Sequence, residues 1–95
     1  MEFRDSGTQD IFNRIDTKLA RRTCPRLLWP GARRKLDQLA TVTRLEDLRV
    51  PPGNALEALR GDRSGQQSIR INQQYRVCFR WTETGPRDVE IVDDH

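Results

Sequence analysis

Five arginines between positions 60 and 80 (Arg60, Arg63, Arg70, Arg76 and Arg80) stand against a single acid, Asp62. Further on comes Val89-Glu-Ile-Val-Asp93-Asp94-His95, which holds the one histidine of the sequence. Guanidinium is a planar, permanently charged fork that matches phosphate oxygens two at a time. Imidazole titrates near neutrality, which makes His95 the natural general acid or base. Asp93 and Asp94 stand beside it to orient or buffer it. An arginine set on one surface with a proton-transfer group at its end suits binding, and cleaving, a phosphodiester backbone.

The elements that must position these groups can be read from the apolar spacing. Glu2 to Asp5 predicts a short edge strand, and Ser6 with Gln9 a capping box that opens a helix. Ile11, Phe12, Ile15 and Leu19 give that helix a narrow apolar stripe, which Cys24-Pro25 ends. Trp29-Pro30 opens a second helix with Ala32, Leu36, Leu39 and Ala40 on its buried face. The two helices are expected to form a hairpin. Leu45 to Gly53, with its Pro51-Pro52-Gly53, reads as a loop leading into a sheet.

Beyond that loop the apolar period changes to two. Ile69, Ile71, Val77, Phe79, Val89 and Ile91 occupy alternate positions of three strands, with Thr84-Gly85-Pro86 at the last turn. A three-residue turn of Asn72, Gln73 and Gln74 pairs Ile71 with Tyr75 and Ile69 with Val77, keeping the apolar set on one face. Tyr75 and Trp81 then point toward the core. Arg70 lies opposite Arg76 on the other face, with Arg80 further along. Like charges facing across strands repel. A bound anion would relieve that repulsion, and removing Arg76 is expected to leave stability unchanged or slightly improved. The fold class is α+β, one domain over residues 1–95, with helices on one face of a mainly antiparallel sheet and the other face open.

Composition narrows the partners. With 35% apolar and 33% charged residues, 95 residues supply one modest core. The net charge is +3, but Lys18, Arg21, Arg22, Arg26, Arg33, Arg34 and Lys35 form a run without any acid, a local potential that attracts polyanions or an acidic protein. Cys24 and Cys78 lie far apart without clustered histidines, so no metal site is expected. No apolar run is long enough to span a bilayer and no apolar signal core stands at the N-terminus, so the expected setting is cytoplasmic.

The runs Leu56-Glu-Ala-Leu-Arg60-Gly-Asp-Arg63-Ser-Gly65, Ser68-Ile-Arg70-Ile-Asn72, Tyr75-Arg76-Val77 and Val89–His95 resemble the HigB branch of the RelE/ParE toxin superfamily. Arg34-Lys-Leu-Asp37 and Asp47-Leu-Arg-Val-Pro-Pro-Gly53 are also similar to that branch. The resemblance implies a RelE-like fold and a type II toxin neutralised by a HigA-like helix-turn-helix antitoxin, through which alone it meets operator DNA. It implies a ribosome-dependent endoribonuclease, needing no metal or cofactor, in which the 2′-hydroxyl of the mRNA attacks the adjacent phosphate. Arg76 would then be the main phosphate stabiliser with Arg60 assisting, and His95 the acid or base with Asp93 as partner or alternate. Arg63, Arg70, Asn72 and Arg80 would hold RNA. Two positions depart from the branch: Asn72 stands where a basic residue is common, and Asp94 where tyrosine is frequent. A non-catalytic inhibitor of the ParE kind, or an RNA- or protein-binding module, is the alternative.

Overall fold

A computed structural model describes residues 1–94 of the chain. Three α-helices, α1 (Ser6–Phe12), α2 (Lys18–Thr23) and α3 (Trp29–Thr41), precede four strands, β1 (Glu57–Ala58), β2 (Gln67–Arg70), β3 (Tyr75–Thr82) and β4 (Gly85–Asp93). The strands form one antiparallel sheet in the order β1-β2-β3-β4. The expected edge strand at the N-terminus is reduced to one parallel bridge, in which Phe3 lies beside Val89.

The first expected helix is divided in two. Asp5, not Ser6, caps α1, its carboxylate accepting from the Thr8 amide at 3.1 Å. The chain then leaves the helix through Arg14, whose φ of 62° is left-handed, and restarts at Thr17. The Thr17 hydroxyl accepts from the Ala20 amide and donates to Asp10, so one side chain caps α2 and ties it to α1. The break rotates the second half of the expected stripe outward, leaving Ile15 49% and Leu19 51% exposed while Ile11 is buried. At Gly7 a Cβ would come within 2.7 Å of the Leu19 carbonyl oxygen. The two short helices therefore close on each other only because that position lacks a side chain.

Helix α3 opens with Pro30 in its first turn and buries Trp29, Ala32, Leu36 and Leu39. Ala40 is exposed, contrary to expectation, because it lies about 100° around the helix from Leu39, at the edge of a narrow stripe. The Trp29 indole donates to the Cys24 carbonyl at 2.9 Å, and the Arg33 guanidinium sits over its ring. Trp29, Ala32, Leu36 and Leu39 join Ile69, Val77, Phe79, Val89 and Ile91 in one core. The expected loop from Leu45 holds two 3-10 turns, Leu45–Arg49 and Pro52–Asn54. Between them they bury Leu48 and Asn54 completely.

The middle hairpin has the expected register. Ile69 pairs with Val77 and Arg70 with Arg76, and the Ile71 amide donates to the Tyr75 carbonyl. Asn72 holds the turn: its side-chain oxygen accepts from the amides of Gln74 and Tyr75 at 2.9 and 2.7 Å. The last turn centres on Glu83-Thr84, one residue earlier than Thr84-Gly85-Pro86, with Thr82 pairing Gly85. Between Cys78 and Arg80 the β3–β4 register shifts. There β4 carries an extra residue, and Asp88 adopts a φ of 52°. Such a bulge re-aims side chains on its strand.

Candidate nucleic-acid interface

Side-chain alternation sorts the charged residues by face. Val77, Phe79, Val89 and Ile91 face the helices, and their neighbours Arg76, Cys78, Arg80, Glu90, Val92 and Asp94 face the other way. In the register of the sheet, Glu57, Ser68, Cys78 and Glu90 form one line across it, and Arg70, Arg76 and Val92 the next. Arg70, Arg76 and Arg80 therefore share the helix-free face. That face is less open than expected. Ser68 is fully buried, and Cys78 and Gln66 are nearly so. Arg63, from the 3-10 turn before β2, reaches Glu90 on β4 at 2.8 Å while also bonding Gln66. Its path crosses the strip where Ser68 and Cys78 lie.

Arg76 is the most enclosed of the five arginines, with a side chain 15% exposed. Its Nε donates to Asp94 Oδ2 at 2.6 Å, and its Nη1 to Ser68 Oγ at 2.9 Å and to Glu57 Oε2 at 3.3 Å. The expected repulsion between Arg70 and Arg76 is thus already offset by two carboxylates. Removing Arg76 would strand the buried Ser68 hydroxyl and does not simply relieve a like-charge pair. Arg80 pairs with Asp88, the residue turned outward at the bulge, at 3.4 Å. Arg60 and Arg70 are exposed and make no ion pair among the described residues.

The remaining candidates divide. Asp93 lies across from Tyr75 and accepts from Gln74 at 3.1 Å. Burial, and after it the Asp93 charge, raises the Tyr75 hydroxyl above its ordinary pKa. Asp93 therefore belongs to the helix side of the strand pair, and the structure does not bring it together with Arg76. Its neighbour Asp94 occupies that position. Asn72 spends its side-chain oxygen on the turn. His95 lies outside the described residues. Sequence reasoning missed Glu57, Ser68, Glu90 and the pairing role of Asp94. The parity of β4 did carry a signal, since Val89 and Ile91 facing the core put Asp93 on their side and Asp94 on the other.

Among the described residues no cluster of His, Cys, Asp or Glu is arranged to hold a metal ion. Both cysteines are free and buried. Burial pushes the Cys24 thiol up to about 11. It raises Cys78 as well, with nearby Glu90 and Asp94 adding to the rise and Arg63 and Arg76 opposing it. The thiolate is the reactive form, so a raised pKa and a covered sulfur both slow alkylation. At about pH 8, iodoacetamide is expected to spare both thiols in the folded protein and label both in denaturant. Mass spectrometry checks this. Native labelling of Cys78 at the rate of a free thiol would show that the Arg63 and Arg76 cover is not held.

Residues 1–95 match the family model of the RelE-like toxins of the type II toxin-antitoxin system HigB. Toxin HigB-1 of Vibrio cholerae is 37% identical over 83 residues, spanning 87% of this chain and 84% of that protein. An uncharacterized protein of Haemophilus influenzae is 39% identical over 57 residues, 60% of this chain and 56% of the relative. The solved YoeB/ParE toxin from Agrobacterium tumefaciens aligns over 100% of this chain and 99% of its own, at 21% identity and a TM-score of 0.49.

Proposed function

Because the chain belongs to the HigB family of RelE-like toxins from type II toxin-antitoxin systems, we propose that it is a ribosome-dependent endonuclease that cuts mRNA and so halts translation. The observation that carries this reading is the cross-strand pair of Arg70 and Arg76 on the sheet face without helices, flanked by Arg63 and Arg80. Opposed guanidinium groups on a rigid hairpin present donors on both sides of a phosphate, and a sheet holds them in place before the substrate arrives.

The reaction is a transfer within the RNA. The 2′-hydroxyl loses its proton to a base and attacks the adjacent phosphorus, giving a 2′,3′-cyclic phosphate. The bond to the 5′-oxygen breaks, and that oxygen takes a proton from an acid. Arg76 neutralises the charge gathering on the equatorial oxygens, with Arg70 across the strand pair and Arg60 from the exposed loop beside β1. His95 is the candidate acid or base. Asp93, facing away from Arg76, serves better to orient a neighbour than to touch the phosphate. The ribosome contributes alignment of the mRNA for in-line attack, a gain in effective concentration that a 95-residue chain does not supply alone.

Membership of the family implies a cognate antitoxin. We assign it to the helix-turn-helix class, with operator DNA reached only through it. No described helix is long and apolar enough to cross a membrane, and a ribosomal target places the toxin in the cytoplasm. Incubating the purified protein with an mRNA, alone and on programmed ribosomes, and mapping the ends by primer extension tests the proposal. Cuts are expected on the ribosome and not in free mRNA. The ion pairs that close Arg76 favour one second reading, a toxin that inhibits by binding alone, and translation arrest with intact mRNA would establish it.

A further inference from the structure

Two of the three guanidinium nitrogens that qualify Arg76 as a phosphate ligand, Nε and Nη1, are already engaged. Asp94 accepts from its Nε at 2.6 Å and Glu57 from its Nη1 at 3.3 Å, while the Ser68 hydroxyl oxygen accepts from Nη1 at 2.9 Å. Two carboxylates around one guanidinium imitate the oxygens of a phosphate. The Arg76 side chain is 15% exposed, whereas those of Glu57 and Asp94 are 57% and 53% exposed. The arginine is fixed and its carboxylates sit at the rim, able to swing into water. Glu57 stands on a strand of two residues, and Asp94 directly follows the last residue of β4. Arg70, the cross-strand neighbour of Arg76, is exposed and carries no carboxylate among the described residues.

We propose that Glu57 and Asp94 form an internal latch on the Arg76 anion site, which an incoming RNA phosphate must displace, so that these two acids set the affinity of the face for RNA. The inference rests on the reading of this face as the RNA site. Exchange of one anion for another on a preformed cation costs little reorganisation of the arginine. The latch weakens capture of stray polyanions, and a phosphate that is also held by Arg70 overcomes it. Asp94, where tyrosine is frequent in the branch, thus has a physical role of its own.

The test is equilibrium binding, by fluorescence anisotropy, of a labelled single-stranded RNA made uncleavable by 2′-O-methyl groups. Glu57→Gln and Asp94→Asn keep shape and hydrogen bonding and remove charge. Each is expected to tighten binding about two- to fivefold, the scale of one exposed ion pair, and the two together about tenfold. The same changes placed on Arg76→Ala should give no more than a small fraction of that gain, because the competition they relieve is for Arg76. Equal tightening with and without Arg76 would overturn the latch in favour of a general charge effect, as would no tightening in the protein that retains Arg76. Should Arg76→Ala by itself leave RNA affinity unchanged, the RNA-site reading falls and the latch with it.

Discussion

Arg76→Ala is expected to slow single-turnover cleavage of ribosome-bound mRNA by about 10²-fold or more, the scale of losing one preorganised donor to a developing anion. It should also lower stability, by roughly 1–2 kcal/mol, because the buried Ser68 hydroxyl loses its partner and Asp94 and Glu57 lose theirs. The ion pairs themselves contribute little of this, since both carboxylates are more than half exposed to solvent. Thermal melts and cleavage rates on the same samples separate the two effects. A destabilised protein that cuts at the wild-type rate per folded molecule would make Arg76 a structural residue only.

Asn54→Ala is expected to have the opposite profile. Asn54 is fully buried. Its amide donates to Gln38 Oε1 at 2.9 Å and to the carbonyls of Leu48 and Val50 at 3.0 and 3.4 Å, and its oxygen accepts from Lys35 Nζ at 2.5 Å. One side chain therefore sews α3 to the turns that lead into the sheet. Burial, with Arg34 nearby, holds the Lys35 ammonium below its ordinary pKa, and losing the Asn54 oxygen removes its hydrogen-bond acceptor. Truncation should cost about 2–4 kcal/mol in chemical denaturation, with the cleavage rate per folded molecule little changed. A loss under about 0.5 kcal/mol, the range of ordinary surface changes, would mean that water replaces the amide at no penalty.

Legibility in the sequence followed the range of the interactions. The hairpin register was fixed by local alternation, and it alone placed Arg70 opposite Arg76. The division of the first helix was not visible, because the break depends on a left-handed Arg14 and on a hydroxyl, Thr17, that bonds Asp10 seven residues earlier. Strand β1 has two residues, too few to show any period. The partners of the arginines were hidden for a related reason. Glu57 and Arg76 are 19 positions apart, and Arg63 and Glu90 are 27 apart. Nothing local announces which surface carboxylate will meet which guanidinium. The sides of the strand taken by Asp93 and Asp94 are legible, because alternation from the buried Val89 and Ile91 sends them to opposite faces.

The direct test of mRNA cutting by internal attack is a single-turnover reaction on ribosomes programmed with an mRNA whose scissile nucleotide carries a 2′-deoxy sugar, beside its all-ribose counterpart. Cleavage is expected on the ribose message only, with a 2′,3′-cyclic phosphate on the upstream fragment. Equal cleavage of the deoxy message would contradict attack by the 2′-hydroxyl, and no cleavage of either would contradict the endonuclease itself.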